Sequence, residues 1–217
     1  MIKGCIFDFD GLILETEYPL YQAWCECYEY HGEKLGLEQY AACVGSDENA
    51  FDPVKELNSR LSKQVDWDYW HAKRLNDTQT VLKEQGLMSG VIDCLEEAEF
   101  LQLPCTVASS SPRNWVDPHL RRLEIEHYFC GTHCLEDVKK PKPSPELFLL
   151  AAASMGLETG EVVVFEDSLN GLLAAQEAGM KCVVVPSPVT LHLDFSEATL
   201  VVNSLSEITL ERLLLEL

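Results

Sequence analysis

Short apolar runs rich in β-branched residues recur along the chain, and longer stretches with helical periodicity separate them. The runs cover residues 2–7, 105–108, 128–131, 162–165, 182–185 and 199–202. Strands that are apolar along their whole length and alternate with helices are typical of a parallel sheet covered on both faces. The pattern therefore predicts an α/β fold with a three-layer parallel sheet.

The interval between the first and second runs is different, since residues 17–84 contain no convincing strand pattern. Its first part carries apolar and aromatic residues three and four positions apart, as on the buried face of an amphipathic helix. These residues are Leu20, Trp24, Cys27, Tyr28 and His31. The spacing predicts a helix that packs through this face.

Two further helices are predicted inside the same interval. One covers residues 52–62, where Pro53 suits a first helical turn, and the other covers residues 66–83. We therefore expect a core of residues 1–15 and 85–217, interrupted by a helical cap of residues 16–84.

Charged and hydroxyl side chains follow four of the apolar runs, where each predicted strand or its loop ends. They are Asp8 and Asp10, then Ser109, Ser110 and Ser111, then Lys142, and last Glu166 and Asp167. Open parallel sheets bind ligands at the carboxyl ends of their strands. We therefore expect these side chains to share one crevice.

Four carboxylates in one crevice call for a cation, because like charges within a few ångströms oppose each other's ionisation. Oxygen ligands suit Mg²⁺ best, so the sequence implies a magnesium site. The metal would bind one side of a phosphate group, and Ser109 and backbone N–H groups would hold the other phosphate oxygens. Lys142 would offset the remaining negative charge, and the crevice therefore predicts phosphoryl transfer.

The two leading aspartates allow a division of labour. Asp8 would attack phosphorus to form an aspartyl phosphate, and Asp10 would protonate the leaving oxygen and then activate water. Taken singly, each feature has an ordinary explanation: Asp-x-Asp pairs are common on surfaces, and Glu166 with Asp167 could cap a helix beginning near Ser168. Their shared position at one end of successive predicted strands favours a site.

Charge excludes several classes of partner. The 217 residues include 16 basic and 36 acidic side chains, for a formal charge of −20. Such a chain repels nucleic acid and anionic membranes, and no apolar run approaches the ~20 residues of a membrane span. A small phosphorylated metabolite is still compatible, because a metal and aimed cations reverse the charge locally.

Cysteine usage points to a reducing compartment. The nine cysteines are odd in number and scattered, and no signal-like segment precedes the first run. We therefore expect no disulfide framework and a cytoplasmic protein. The strong negative charge favours a monomer.

Four segments together resemble the motifs of the haloacid dehalogenase-like superfamily, specifically its phosphatase and phosphosugar-mutase branch. They are Asp8-Phe-Asp-Gly-Leu-Ile-Leu-Glu-Thr-Glu17, Val107-Ala-Ser-Ser-Ser-Pro-Arg113, Lys142-Pro-Ser-Pro-Glu-Leu-Phe148 and Phe165-Glu-Asp-Ser-Leu-Asn-Gly171. The resemblance covers essentially the whole chain. It implies a Rossmann-like core with a helical cap inserted after the first strand.

The resemblance also implies a role for each site residue. Asp8 would be the nucleophile and Asp10 the general acid and base. The phosphate ligands would be Ser109, Ser110 and Lys142. The Mg²⁺ ligands would be Asp8, Asp10 and Asp167, with Glu166 bound directly or through water.

The third motif has neighbouring alternatives, because Lys139 and Lys140 precede Lys142. The segment beginning at Lys140 also fits a Lys-Pro pair. We choose Lys142, since the Pro-Ser-Pro-Glu-Leu-Phe that follows it matches the family better.

Departures from the family pattern narrow the branch. Glu15 replaces the family's usual aspartate. β-Phosphoglucomutase-like members carry a histidine, an arginine and a lysine where this chain has Leu20, Glu48 and Pro112. Without those cations the cap is poorly equipped to hold a second phosphate, which disfavours a mutase. We expect Mg²⁺-dependent hydrolysis of a small phosphate monoester, with a phosphosugar mutase as the alternative.

Two further observations refine this expectation. Asp10 argues against the dehalogenase and phosphonatase branches, which protonate no ester oxygen and lack an acid there. The loop Val44-Gly-Ser-Asp-Glu-Asn49 lies where family caps contact the leaving group. Its acids Asp47 and Glu48 hint at a substrate with hydroxyl or amine groups, although both could simply cap the next helix.

Two rival interpretations use other features. A non-enzymatic phosphoryl-accepting signalling receiver also gathers acids, a hydroxyl and a lysine at strand ends, but in a different order along the chain. A tetrahedral Zn²⁺ site could use His127, Cys130, His133 and Cys134. Because a predicted strand runs through this region, alternation should send these ligands to different faces, which favours buried thiols and an ordinary loop histidine.

Overall fold

The parallel α/β fold predicted from the sequence is confirmed. The structure, a computed structural model, describes residues 1–42, 44 and 51–216. Its described residues form a six-stranded sheet in the order β3-β2-β1-β4-β5-β6, with every neighbouring pair parallel. The strands are β1 (Gly4–Phe7), β2 (Cys105–Ala108), β3 (Phe129–His133), β4 (Val162–Glu166), β5 (Lys181–Val184) and β6 (Leu200–Val201).

The third strand lies further along the chain than its apolar run predicts. A 3₁₀ turn over Glu126–Tyr128 precedes β3, and Thr132 and His133 pair with Val107 and Ala108 of β2. β3 is an edge strand, where exposure to solvent tolerates polar residues. Because Thr132 and His133 are polar, the apolar pattern did not indicate where β3 ends.

Helices cover both faces of the sheet. Those between β1 and β2 are α1 (Glu17–Tyr30), α2 (Leu37–Ala41), α3 (Pro53–Arg60), α4 (Trp67–Glu84) and α5 (Val91–Phe100). Those after β2 are α6 (Arg113–Arg122), α7 (Glu146–Ser154), α8 (Leu169–Glu177) and α9 (Leu210–Glu216). None of the helices within the described residues has the length and apolar character needed to cross a bilayer.

Two hydrophobic clusters lie on opposite faces of the sheet. Cys5, Phe7 and Phe165 pack with residues of α5, α6 and α9, whereas Ile6 and Val164 pack with residues of α7 and α8. Successive side chains of a strand point to opposite faces, so neighbours such as Ile6 and Phe7 enter different clusters. This alternation produces the three-layer arrangement.

The described part of residues 17–84 contains helices and no strand. A third hydrophobic cluster includes Trp24, Tyr28, Leu57 and Trp70 of this segment and extends to Val189. Two helices of this segment begin where the sequence predicts. Asp52 accepts hydrogen bonds from the backbone N–H groups that follow Pro53 in α3, and Asp66 accepts one from Tyr69 in α4. On the predicted face of α1, Trp24, Cys27 and Tyr28 are buried, while Leu20 and His31 are half-buried.

Candidate active site

The chain turns sharply after β1 and places two aspartates at the edge of the sheet. Asp8 continues the strand, because its N–H donates to the carbonyl of Phe165 at 3.0 Å. Gly11 then takes a φ of +78°, and a Cβ there would lie 2.1 Å from Oδ2 of Asp167. Glycine is needed for both the left-handed conformation and the close approach to Asp167.

Lys142 lies at the centre of the site and is 1% exposed. Its ammonium donates to Asp8 Oδ1 at 2.5 Å, to Glu166 Oε1 at 2.6 Å and to the Ala108 carbonyl at 2.8 Å. All three N–H bonds of the ammonium therefore have an acceptor. Its neighbours Lys139 and Lys140 are exposed, so Lys142 is the lysine of this segment that enters the crevice.

Three buried carboxylates surround this ammonium. Oxygens of Asp8, Glu166 and Asp167 lie within 4.8 Å of one another. Burial raises the pKa of Asp8, which Lys142 opposes by lowering it, and the charges of Glu166 and Asp10 raise it further. Burial followed by the charges of Glu166 and Asp8 raises the pKa of Asp167. The site has more negative charge than one lysine offsets.

Glu166 is held by the start of α8. Its Oε2 accepts hydrogen bonds from the N–H groups of Asp167 and Ser168 and from the Ser168 hydroxyl, at 2.9, 3.0 and 3.0 Å. Oε1 is the oxygen that accepts from Lys142. Both carboxylate oxygens of Glu166 therefore already accept hydrogen bonds within the protein. This favours a role for Glu166 in positioning its neighbours over direct binding of a metal.

Asp167 differs, because its Oδ2 is buried and has no hydrogen-bond partner among the described residues. A buried polar atom without a partner carries a cost in free energy unless a ligand supplies one. The neighbouring side-chain atoms in this group are carboxylate oxygens, which are the ligands that hard divalent cations prefer. The residues present therefore fit a divalent metal held by Asp8 and Asp167, with Glu166 behind them.

The Asp10 carboxylate lies beside this cluster and has four donors. Oδ1 accepts from Thr16 Oγ1 at 2.8 Å and from Trp115 Nε1 at 2.9 Å. Oδ2 accepts from Ser111 Oγ at 2.6 Å and from Ser109 Oγ at 3.3 Å. These four donors fix the position of the Asp10 carboxylate apart from Lys142. The sequence predicted Asp10 as a metal ligand, through its side chain or its backbone carbonyl. Its side chain is not part of the three-carboxylate group, and a ligand role of the carbonyl stays a prediction.

A cavity of about 130 Å³ opens between these groups. The predicted residues that line it are Asp8, Asp10, Ser109, Ser110, Lys142 and Asp167. Ser110 Oγ also accepts a hydrogen bond from the Lys142 backbone N–H at 3.2 Å. Glu166 is behind the cavity wall, since it is buried and does not line it.

The sequence placed Ser111 in the crevice without giving it a role, and it did not select Thr16, Glu17 or Trp115. Thr16, Ser111 and Trp115 donate to Asp10, and Glu17 lines the cavity. Thr16 and Glu17 stand inside the first motif, and Ser111 stands in the serine run. Trp115 had no such signal, since it stands in α6 beyond the end of the second motif at Arg113.

The rival zinc site, which would use His127, Cys130, His133 and Cys134, does not form. Cys134 is buried, Cys130 is exposed, and His133 Nε2 lies 2.9 Å from Ser154 Oγ. Within residues 1–42, 44 and 51–216, these side chains form no group of three ligands within reach of one ion. Asp47 and Glu48, the other acids considered, lie outside the described residues.

Comparison with known proteins gives consistent matches over the whole chain. A family model described as haloacid dehalogenase-like hydrolase matches residues 5–185. The protein YhcW of Bacillus subtilis (strain 168) is 37% identical over 214 residues, which cover 99% of this chain and 97% of that protein. Fructose-1-phosphate phosphatase YqaB of Escherichia coli (strain K12) is 32% identical over 191 residues, covering 84% and 95% of the two chains.

A solved structure shares the fold. β-Phosphoglucomutase of Clostridium difficile gives a TM-score of 0.79 at 23% identity and covers 100% of this chain and 97% of its own. At this identity the likeness concerns the fold alone.

Proposed function

The chain belongs to the haloacid dehalogenase-like hydrolases, and from this premise we propose that it is a phosphatase that hydrolyses a small phosphate monoester through an aspartyl phosphate. The observation that carries the proposal is the buried contact of Asp8 with Lys142, beside the separately held carboxylate of Asp10. A nucleophile and an acid–base group thus border one cavity. The signalling receiver is not retained, since the family match extends over residues 5–185.

Asp8 is the group that attacks phosphorus. One of its oxygens is held by Lys142, which fixes the direction of the carboxylate and offsets the charge of an incoming phosphoryl group. Attack forms the Asp8–phosphorus bond and breaks the bond between phosphorus and the ester oxygen. Ser109 and Ser110 stand at the wall where phosphoryl oxygens would lie.

Asp10 moves the protons in both half-reactions. It delivers a proton to the departing alcohol oxygen and then takes one from the water that attacks the aspartyl phosphate. The four donors to its carboxylate hold it at the cavity that it shares with Asp8. Free phosphate and the regenerated Asp8 carboxylate are the products.

A divalent metal belongs to the proposal, with Mg²⁺ as the ion. Asp8 and Asp167 would hold it and Glu166 would support it, as the unpartnered Oδ2 of Asp167 indicates. When bound, the metal supplies positive charge to the phosphoryl oxygens. The phosphosugar mutase stands second, because likeness at 23% identity shows the fold and not the reaction.

The proposal also includes the organisation of the molecule. Residues 16–84 would act as a cap that shields the aspartyl phosphate from bulk water, while residues 1–15 and 85–217 carry the reaction. Contact between the two includes the Asn170 side chain, which donates to the Val44 carbonyl at 2.7 Å. We also propose that the protein is a monomer and that it acts in the cytoplasm. The described cysteines are all free thiols, which supports a reducing compartment.

The test is phosphate release from a panel of small monoesters, with and without Mg²⁺. Asp8→Asn should lower turnover at least about 1,000-fold, because the amide is nearly isosteric with the carboxylate but is not a nucleophile. Asp93→Asn makes the same chemical change at an exposed position and should keep full activity. Release from no ester would overturn the proposed function, and near-normal turnover by Asp8→Asn would remove Asp8 from its role.

A further inference from the structure

A second and larger cavity adjoins the phosphate cavity. It has a volume of about 420 Å³ and lies between α1, α4 and the start of α6. Asp10, Glu17 and Ser111 line both cavities. A group joined to phosphorus through an ester oxygen near Asp10 would extend into this second space. Its volume falls within the range of about 300–1,000 Å³ of small-molecule sites.

The walls of this second cavity are of two kinds. Its apolar wall consists of Leu20, Leu75, Pro112 and the ring of Trp115. Its neutral polar wall consists of Thr78, Gln79 and Asn114. A flat apolar wall facing hydroxyl and amide groups suits a ligand with one apolar face and several hydroxyl groups.

Thr78 gives an independent indication of a ligand. The residue is 2% exposed, and its Oγ1 is buried without a hydrogen-bond partner among the described residues. A threonine on a helix can bond to the carbonyl four residues back, but this hydroxyl does not. Because Thr78 lines the cavity, a bound ligand that reaches this hydroxyl would supply the missing hydrogen-bond partner.

As far as the structure describes the chain, the second cavity offers no cation to a second phosphate. Two carboxyl groups, Asp10 and Glu17, line it. No lysine, arginine or histidine lines it among the described residues. A second phosphate held there would have no cation among the described residues to pair with, which is unfavourable for its negative charge.

We infer that the second cavity is the specificity site for the leaving alcohol, and that it selects a hydroxyl-bearing alcohol that has one apolar face and no second phosphate, such as a sugar that carries a single phosphate. Thr78, Gln79 and Asn114 are the specificity-determining residues. This inference rests on the proposed phosphatase function and deepens it.

The first test compares a hexose 1-phosphate and a hexose 6-phosphate with the 1,6-bisphosphate of the same hexose. The better monophosphate should exceed the bisphosphate in kcat/KM by at least about tenfold, because one electrostatic clash of this kind is worth that much or more. Equal use of the bisphosphate would overturn the inference.

A charge introduced into the cavity should change this discrimination. Asn114→Lys adds a cation to the wall and should narrow the preference for the monophosphate by about 3- to 10-fold. Asn76→Lys adds the same charge to the exposed side of α4, outside the cavity, and should leave the ratio unchanged. If both variants changed the ratio equally, net charge and not the cavity would be responsible, and the inference would fail.

The Thr78 hydroxyl is tested by Thr78→Val, which keeps the shape of the side chain. The variant should lose about 3- to 10-fold in kcat/KM for the preferred sugar phosphate, the value of one hydrogen bond, and less for p-nitrophenyl phosphate. Thr80→Val removes an exposed hydroxyl of the same helix that bonds to the Asn76 carbonyl, and should change neither rate. An equal loss by Thr78→Val on both esters would contradict a role in alcohol recognition.

The outcomes separate this inference from the function beneath it. Mg²⁺-dependent release from p-nitrophenyl phosphate that is lost in Asp8→Asn supports the phosphatase whatever the second cavity does. That release combined with no discrimination between the hexose phosphates defeats the inference alone. No release from any ester defeats the proposed function.

Discussion

Lys142 is the side chain on which the charge balance of the site depends. Burial alone would lower the pKa of its ammonium, but the charges of Asp8 and Glu166 raise it, so the group stays protonated. The three groups are almost fully removed from solvent. Removing the Lys142 ammonium would leave the buried carboxylates of Asp8 and Glu166 without the cation that pairs with both.

We predict that Lys142→Met lowers the free energy of unfolding by about 3–5 kcal/mol, the cost of breaking a buried ion pair. Urea denaturation measures it, with the exposed Lys139→Met as the control. Mg²⁺ should recover part of the loss, because it supplies positive charge to the same carboxylates. A stability equal to that of the control would show that the pair contributes nothing.

Trp115 acts through Asp10 and is a positioning residue. Trp115→Phe keeps an aromatic ring but removes the N–H that donates to Asp10 Oδ1. Turnover of an ester with a poor leaving group should fall about 10-fold, and turnover of p-nitrophenyl phosphate should fall less, since its leaving oxygen needs little protonation.

Trp67→Phe provides the matched control, because the Trp67 indole N–H donates to Asn58, away from the site. Steady-state kinetics on the two esters give the measurement. A uniform loss on both esters would mean that Trp115 supports the fold and not the proton transfers.

At the scale of elements, the first turn of α8 packs directly on the site. A Cβ added at Gly171 would lie 1.8 Å from the Glu166 carboxyl carbon. Glycine at this position lets the helix approach the carboxylate that its own N-terminus and Lys142 hold.

We therefore predict that Gly171→Ala displaces Glu166, lowers stability by about 1–3 kcal/mol and reduces turnover. Gly160→Ala is the control, since a Cβ there meets nothing within 4 Å. Thermal unfolding and kinetics of the two variants give the comparison. Equal behaviour of both would show that α8 can shift away without disturbing Glu166.

At the scale of the whole molecule, the charge of −20 opposes the compact state. At low ionic strength the repulsion acts over long distances, because the Debye length is about 30 Å at 0.01 M and about 8 Å at 0.15 M. Monovalent salt should therefore stabilise the fold.

We predict that the midpoint of thermal unfolding rises by a few degrees between about 10 and 150 mM salt. NaCl and KCl should act alike, since screening depends on ionic strength and not on a specific site. Mg²⁺ should add a further rise that Asp167→Asn reduces, because Asp167 would hold the metal. A midpoint that falls with salt would show that attractive surface pairs outweigh repulsion.

The sequence by itself determined the order of the strands along the chain and the acids, serines and lysine that follow them. It could do so because apolar runs bounded by turns are local patterns, and because parallel strands bring their carboxyl ends to one edge. Asp8, Ser109, Lys142 and Asp167 line one cavity for that reason. The end of β3 was misplaced, since an edge strand can be polar.

The tertiary structure alone decided how these groups divide into a charged cluster and a separately held Asp10. Trp115 donates to Asp10 across 105 positions of sequence, and no periodic pattern encodes a contact at that separation. The second cavity likewise joins Thr78 of α4 to Asn114 of α6, which are close only because the helical segment packs over the sheet. Local patterns determine the elements and their ends, whereas the packing of distant segments determines which side chains meet.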